Sequence, residues 1–245
     1  MDNVVDELGH GFGLRWGVGE SSPSGRHRGH VGFMQYTGER RPVMVLASYC
    51  GKLENGAVMS TDEFLSLYER ADGLEHVELI EGIIYMPSPV SIPDHARKQG
   101  LFIEWLAAYE SMHREAEYSP PGTVVLDESN VPEPDAMLYR KREGRMTDAG
   151  YLDGAPELVV EIANSSASRD LHQKKEAYRR SGVLEYIVWR VQDGAIDWFA
   201  LHAGEYEAQV PRDGVIESRV FPGLRLDVPA MLAMDRSKVL AAIRS

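Results

Sequence analysis

The chain of 245 residues has little cysteine and no excess of positive charge, and each deficit excludes a class of protein. Cys50 is the only cysteine, so an internal disulfide and a cysteine-ligated zinc cluster are both excluded. No apolar run is long enough to span a membrane, and the N-terminus lacks the basic start and apolar core of a secretory signal, so we expect a cytoplasmic protein. Lysine and arginine number 26 against 38 acids, and the resulting net charge of −12 disfavours broad electrostatic attraction to nucleic acid.

Regular patterning is also absent from residues 1–58, which hold 11 of the 23 glycines. The two Gly-x-Gly steps at 11–13 and 17–19 lack a preceding strand, which argues against a nucleotide-binding loop. Only residues 43–47 have the composition of a short strand. We therefore expect residues 1–58 to form a flexible, dispensable Gly-rich arm before a single domain at 59–245, with Met59 as a candidate for the true translation start.

Patterned sequence begins at Ser60-Thr-Asp-Glu63, a capping box that predicts a helix ending near Gly73. Two short apolar runs on either side of Glu81-Gly82 predict a hairpin, and Asp94 is a candidate cap for a long helix that reaches about Glu117. Further apolar runs predict strands at 123–126, 135–139, 157–163, 184–189, 196–201 and 206–210. Helices are predicted from Ser168 or Asp170 to Gly182, and from Pro229 to Arg244.

Three charged residues fall where these elements would bring them together. Glu161 lies in a strand so apolar that burial of its charge would be costly without a partner or a metal. Pro134 cannot donate to a strand ladder, which places Asp135 at a strand start near one end of the sheet. Lys174 shares a helix face with Asp170 and Tyr178, so it can lean back towards that end. Two carboxylates beside a lysine predict a site for a hard cation and an activated water.

The order of these residues resembles the Uma-type endonuclease family of the restriction-endonuclease-like, PD-(D/E)xK superfamily. The resemblance covers about residues 59–236, and its matching segments are Glu78–Gly82, Met86–Pro89 with His95, Pro134-Asp135, Gly154–Glu161, Asp170 with Lys174 and Tyr178, Gly182–Tyr186 and Phe221–Asp227. The parent pattern expects a lysine two positions after the glutamate, where this chain has Ala163. Lys174 matches the lysine that Uma-type proteins carry on the following helix instead.

The resemblance implies an α/β (α+β) fold, with a restriction-endonuclease-like core, a mixed β-sheet flanked by helices, and a C-terminal β-hairpin. It implies hydrolysis of DNA phosphodiester bonds with Mg²⁺ (or Mn²⁺) as cofactor. Asp135 and Glu161 would hold the metal, the Ile162 carbonyl would complete the site, and Lys174 would assist the attacking water. Glu78 would join the acidic cluster as a fourth catalytic candidate. DNA is the partner implied, a homodimer is compatible with the resemblance, and a membrane partner is not implied.

Each residue taken alone has an ordinary structural interpretation, and only their combination in order carries the hypothesis. A Pro-Asp step is common in turns, Lys174 alone is a typical solvated helix lysine, and Glu78 alone is a typical surface strand acid. His95 alone is local structure at a helix start, although the resemblance makes it a candidate supporting residue. Basic runs at 140–145 and 169–180 flank the candidate site in our interpretation, with solvated surface charge as an equal alternative.

Two other functions stay open at this stage. The fold could serve as a catalytically inactive nucleic-acid- or protein-binding module, since fold alone does not fix function. Metal-dependent hydrolysis of a different phosphoester is a second enzymatic alternative.

Overall fold

The computed structural model describes residues 52–71, 76–86, 91, 95–164 and 170–244, together with the backbone of two short strands. These strands, β1 (Gln35–Tyr36) and β2 (Pro42–Val43), pair antiparallel. Contacts divide the chain into two compact units, Met1–Cys50 and Gly51–Ser245. The predicted caps Asp94 and Ser168, the helix end near Gly73, residue Arg169, most of the predicted strand at 43–47 and the side chain of Asp170 lie outside the described part.

The second unit begins with the two elements that local sequence signals predicted. Helix α1 (Thr61–Tyr68) starts at the expected capping box, in which Ser60 and Glu63 each accept the other's backbone N–H. Strands β3 (Glu78–Ile80) and β4 (Ile83–Tyr85) form the predicted hairpin. The φ angles of Glu81 and Gly82 are 54° and 72°, as a tight two-residue turn of type I′ requires.

Helix α2 (Arg97–Met112) is shorter than predicted, because the chain turns at His113 and enters strand β5 (Ala116–Ser119). The prediction of helix to Glu117 is therefore wrong. Strand β5 pairs antiparallel with β7 (Ala136–Arg140), a partner about 20 residues away that local patterning does not reveal. Between them, β6 (Val124–Val125) pairs in parallel with β8 (Leu152–Asp153) in a small separate sheet.

The central sheet has six strands in the order β12-β11-β10-β9-β7-β5. Strands β9 (Leu158–Ala163) and β10 (Glu185–Arg190) are parallel neighbours at its centre, and the remaining pairs, including β11 (Ala195–His202) with β12 (Glu205–Ala208), are antiparallel. All six residues of β9 are buried, so both faces of the sheet are covered there.

The connection from β9 to β10 contains a π-helical turn at Asp170–Lys174 that continues into helix α3 (Lys175–Ser181). Gly182 ends this helix in the left-handed conformation, with φ of 86°, as the sequence predicted. The first turn is wider than α-helical, which the spacing argument did not anticipate.

The C-terminal segment forms the hairpin β13 (Val215–Glu217) and β14 (Arg225–Asp227), followed by helices α4 (Val228–Leu232) and α5 (Arg236–Ala241). The single closing helix predicted from Pro229 to Arg244 is therefore wrong. Met234 has a φ of 57°, which no helix accommodates, and Asp235 then caps α5 through the Lys238 N–H.

Two apolar layers pack on the two faces of the central sheet. On one face, Leu158, Val160 and Ile162 pack with aromatic residues of α2, where Trp105 meets Trp198 edge to face at 5.9 Å between ring centroids. On the other face, Val159 and Ala163 pack against Tyr178 of α3. The predicted mixed sheet with flanking helices is confirmed, and so is the predicted C-terminal antiparallel hairpin, which is formed by β11 and β12. Within the described ranges, no helix is both long and apolar enough to cross a membrane.

Candidate active site

Glu161 lies in the middle of β9, on the face that packs against α3, and a lysine from that helical segment binds it. Lys174 Nζ is 2.6 Å from Glu161 Oε1 and 2.8 Å from Glu78 Oε1. Only 9% of Glu78, 4% of Glu161 and 3% of Lys174 is exposed. One buried ammonium thus bridges two buried carboxylates, which leaves the group with an excess of negative charge.

Tyr178 adds a neutral donor to the same carboxylate. Its hydroxyl donates to Glu161 Oε1 at 2.8 Å, and its ring is almost wholly buried. Burial, followed by the nearby charges of Glu161 and Glu78, raises the pKa of Tyr178 well above its usual range. The hydroxyl therefore keeps its proton and acts only as a donor. Tyr178 was recognised in the sequence as a family match, but its contact with Glu161 was not predicted.

Glu78 is held in place by the hairpin that carries it and by the chain beside it. The backbone N–H of Glu133 donates to Glu78 Oε1 at 2.8 Å. The hairpin is also tied to the helical segment after β9, because the Tyr85 hydroxyl donates to Gln173 Oε1 at 3.1 Å and Glu81 forms an ion pair with Arg180.

Asp135 stands directly before β7, next to the strand that carries Glu161. Ala136 pairs with Val160 and is the first residue of β7 in register with β9, so Asp135 lies just outside the paired segment. Instead of a ladder bond, the Asp135 carboxylate itself accepts the N–H of Ile162, with Oδ2 at 2.6 Å. The two acids therefore lie at the same end of the sheet.

The other oxygen of Asp135 is held from the start of α2. Gln99 Nε2 donates to Asp135 Oδ1 at 2.9 Å, and His95 Nε2 lies 2.8 Å from the same oxygen. Gln99 also donates to the Asp135 carbonyl at 3.2 Å. His95 and Gln99 are four residues apart, so one side of the helix start contacts the acid. Gln99 was missed at the sequence level, although its spacing from His95 is a usable signal.

The predicted site residues thus fall into two adjoining groups. Glu78, Glu161 and Lys174 form one ion-paired cluster, while Asp135 is bound by His95, Gln99 and the N–H of Ile162, which follows Glu161 in the chain. Both acids are fixed in place before any ligand binds.

The donor atoms suit a hard cation, which prefers carboxylate and carbonyl oxygens. The described residues contain no group of three or more His, Cys, Asp or Glu side chains that could hold a metal ion. Mg²⁺ commonly takes only one or two carboxylates and completes its shell with water and substrate phosphate. Asp135 and Glu161 therefore fit a cation that is bound together with a phosphate substrate.

The basic run at 140–145 does not flank the acids, contrary to our interpretation of the sequence. It follows the far end of β7, about 17 Å along the strand from Asp135. Its arginines serve the fold: Arg142 and Arg145 bind Glu157 at 2.6 and 2.9 Å. Burial acts to raise the pKa of Glu157, but hydrogen bonds from the Arg140 N–H and the Arg145 guanidinium outweigh burial and leave this pKa below its usual range.

Comparisons with known proteins agree with this architecture. The Uma2 protein-family model, described as "Putative restriction endonuclease", matches residues 61–229. Among solved structures, a "putative nuclease belonging to DUF820 from Anabaena variabilis ATCC 29413" is similar with a TM-score of 0.57 and 17% sequence identity. The similarity covers 71% of this chain and 98% of that chain, and at this identity it shows the fold alone. No curated protein matches the sequence significantly.

Proposed function

Because this chain belongs to the Uma2 family of restriction-endonuclease-type proteins, we propose that it is an endonuclease that hydrolyses DNA phosphodiester bonds with Mg²⁺ or Mn²⁺. The nuclease-like fold supports the class of activity. The observation that supports the finer proposal is the 2.6 Å hydrogen bond from the Ile162 N–H to the Asp135 carboxylate. Ile162 follows Glu161, whose own carboxylate lies 2.6 Å from Lys174 Nζ.

In this proposal Asp135 and Glu161 hold the metal, and the Ile162 carbonyl adds a third oxygen. A bound ion would lower the pKa of a water molecule and offset the charge that develops on the phosphate. His95, Gln99 and the Ile162 N–H fix the orientation of the Asp135 carboxylate.

Lys174 and Tyr178 fix the second acid, since both bind the same oxygen of Glu161. Lys174 carries a compact ammonium, which suits a charge that orients a water or stabilises a phosphoryl oxygen. Glu78 binds this ammonium from the other side and acts as its anchor. The protein contributes an arrangement of charges that needs little reorganisation when substrate arrives.

The first prediction is that the protein cuts DNA only with Mg²⁺ or Mn²⁺, and that Asp135→Asn and Glu161→Gln reduce cutting to background. Both substitutions keep the shape of the side chain and remove the charge that a cation needs. Plasmid nicking followed on gels measures the effect, and circular dichroism checks that each variant is folded. Glu143→Gln is the matched control, because Glu143 is exposed and forms no ion pair with the described residues.

Cutting that continues in excess chelator would overturn the metal-dependent mechanism. Cutting of RNA but not of DNA would keep the site and change the substrate.

A second candidate is an inactive nucleic-acid- or protein-binding module on the same fold. The ion-paired cluster of Lys174 with Glu78 and Glu161 favours this second candidate, because Lys174 already neutralises part of the charge on the two acids and is only 3% exposed. The two candidates differ in one measurement: a binding module leaves every nucleic acid intact at all concentrations of Mg²⁺ and Mn²⁺, while the nuclease does not.

A further inference from the structure

Two neighbouring residues of the π-helical turn, Gln173 and Lys174, both bind the hairpin of β3 and β4. Lys174 binds Glu78, and Gln173 accepts a hydrogen bond of 3.1 Å from the Tyr85 hydroxyl. Glu78 and Tyr85 are cross-strand partners, so their side chains lie on one face of the hairpin. A π-helical turn contains more residues than an α-helical turn, so neighbouring side chains diverge less around its axis. The Tyr85–Gln173 pair therefore lies beside the ion-paired cluster.

Exposure to solvent distinguishes this pair from the cluster. Glu78 is 9% and Lys174 is 3% exposed, whereas Gln173 is exposed and Tyr85 is only partly buried. Lys174 Nζ is 2.6 Å from Glu161, so covalent reach puts the Gln173 Cα within about 13 Å of that carboxylate. A few nucleotides of one DNA strand span this distance, at a rise of about 3.4 Å each. Gln173 is thus an exposed residue within a few nucleotides of the candidate active site.

The contact with Tyr85 occupies one end of the Gln173 amide. Oε1 accepts the Tyr85 hydroxyl, while Nε2 donates to none of the residues that the structure describes. A glutamine that reads an adenine edge uses its amide both as a donor and as an acceptor. Because Oε1 already has a partner, Gln173 offers donors alone. Donors without an acceptor suit a phosphate oxygen better than a base edge.

Lys174 is poorly placed to supply such a donor. Its ammonium is bound by Glu78 and Glu161 and is almost completely buried. A donor that lies outside this cluster is better placed to contact a phosphate. Gln173 is the neighbouring residue in the chain and has such a donor.

We propose that Gln173 Nε2 donates a hydrogen bond to a backbone phosphate beside the scissile bond, with Tyr85 orienting the amide. The inference rests on the proposed nuclease function and names a substrate-binding residue of that site. Side-chain amides are common donors to phosphate, and such contacts position a strand without reading its sequence. Gln173 would then strengthen binding to all sequences equally.

The test measures binding of duplex DNA by fluorescence anisotropy, with Ca²⁺ in place of Mg²⁺. Gln173→Leu removes the donor and should weaken binding by about tenfold, the effect of losing one hydrogen bond to a charged group. The slope of log K against log salt should keep its wild-type value, because no charge is removed. With Mg²⁺, this variant should raise KM and leave kcat within about twofold, as loss of a contact made equally in ground and transition states requires.

Gln173→Glu separates the proposed donor from a purely structural role of the contact with Tyr85. The carboxylate of this variant still accepts the Tyr85 hydroxyl, but it repels a phosphate, so we expect a greater loss of binding than in Gln173→Leu. A purely structural role predicts the reverse order. Glu143→Gln is the matched control for charge, because it changes the net charge by one unit at an exposed position beyond the far end of β7. It should bind DNA as the wild type does.

Tyr85→Phe tests the orientation of the amide. This variant keeps the ring and removes the hydroxyl, so the donor is still present but no longer held in place. We expect binding to weaken by about threefold, less than in Gln173→Leu. The melting temperature of each variant checks that the hairpin stays folded.

Duplexes with a single uncharged methylphosphonate identify the contacted phosphate. At that position, Gln173→Leu should weaken binding by no more than about twofold, because the two changes remove the same interaction. At the other positions near the cleavage site, the variant should still cost about tenfold. These positions are the internal control.

The outcomes separate the two proposals. Wild-type affinity in Gln173→Leu, or a smaller loss in Gln173→Glu than in Gln173→Leu, would overturn the role of Gln173 and leave the nuclease standing. A wild-type protein that cuts no single- or double-stranded nucleic acid would overturn the proposed function, and the inference with it.

Discussion

Lys174 is the residue on which the burial of two acids depends. Its ammonium contacts Glu78 at 2.8 Å and Glu161 at 2.6 Å, and all three side chains are almost completely removed from solvent. Removing one member of such a group leaves uncompensated buried charge, which is much more costly than the net value of the pair. Lys174 therefore has a structural role as well as the catalytic one proposed.

We predict that Lys174→Met lowers the free energy of unfolding by about 3–5 kcal/mol, the range found when one partner of a buried ion pair is lost. The triple variant Glu78→Gln, Glu161→Gln, Lys174→Met should recover most of the loss. Urea unfolding followed by circular dichroism measures both. Lys175→Met is the neighbouring control, since Lys175 lies over the Phe199 ring and its loss should cost about 1 kcal/mol or less. Equal stabilities of Lys174→Met and wild type would show that the acids do not need the lysine.

His95 and Gln99 have a narrower task, which is to orient Asp135. If Asp135 holds a metal, Gln99→Leu and His95→Ala should each weaken Mn²⁺ binding by about 10- to 100-fold, the usual effect of losing a residue that orients a metal ligand. Calorimetric titration with Mn²⁺ measures this. Ser111→Ala, near the other end of α2, serves as the control. Unchanged Mn²⁺ affinity in both variants would mean that the backbone N–H of Ile162 orients the carboxylate unaided.

At the scale of elements, the sequence predicted structure wherever the determining contact is local. The capping box of α1 and the Glu81-Gly82 turn each lie within a few residues, and both were predicted correctly. The apolar run of β9 was also enough to predict this strand, because a continuous apolar run of this length has few interpretations other than a strand buried on both faces. Strand β5 was missed because β7, not its own composition, stabilises it. Asp235 is a usual cap residue and was the overlooked signal that divides the closing helix.

The same distinction applies to the candidate site. Glu161 and Lys174 follow from the cost of a charge in a buried strand and from helix spacing, and the structure brings them together. The contact of Gln99 with Asp135 joins residues 36 positions apart, and although the spacing from His95 singles out Gln99, no local pattern identifies Asp135 as its partner. Tyr178 was on the predicted helix face, but its partner depends on how α3 packs on the sheet.

The segment before Met59 packs against the hairpin, which bears on the predicted boundary of the arm. Ile84 exchanges backbone hydrogen bonds of 2.8 Å with Gly56 and Ala57, and Leu53 is buried. The side chain of Asn55 accepts the N–H of Met86 at 2.9 Å. The boundary after residue 58 stays a prediction, and these contacts favour a boundary between Cys50 and Gly51.

We predict that a chain beginning at Gly51 melts within a few degrees of the full chain, while one beginning at Met59 loses on the order of 3 kcal/mol. The loss combines one buried leucine with several backbone hydrogen bonds. In a domain of this size it lowers the melting temperature by about 6–12 °C. Differential scanning calorimetry compares the three chains. If both shortened chains melt together, residues 52–58 contribute nothing and the boundary at Met59 is the better one.

At the scale of the whole molecule, Glu185 links the central sheet to the C-terminal region. This completely buried acid at the start of β10 accepts the Ser218 hydroxyl at 2.5 Å and the Arg219 N–H at 2.7 Å. Burial raises the pKa of Glu185 to about 7, although the hydrogen bonds from Ser218 and Arg219 act to lower it. The neutral form is therefore favoured in the folded protein over a range where the unfolded chain has already lost the proton.

The sign of the pH dependence follows from this raised pKa. The stability that Glu185 contributes is fully present below its unfolded pKa of about 4.3 and is lost as pH rises through about 7. Glu185→Gln stays neutral, so its stability relative to wild type should rise by on the order of 3 kcal/mol between about pH 4 and pH 8. Urea unfolding at several pH values measures the difference. A difference that does not vary with pH would show that Glu185 is ionised in the folded protein throughout.

The hydrogen bond between Asp135 and the Ile162 N–H affects how this position is expected to evolve. That carboxylate ends the β7–β9 ladder, so the residue has a folding task that does not depend on any reaction. A lineage that abandoned catalysis would still be selected to keep an acceptor there, and asparagine meets the same need. Retention of a hydrogen-bond acceptor at this position in a diverged copy would therefore be weak evidence of activity.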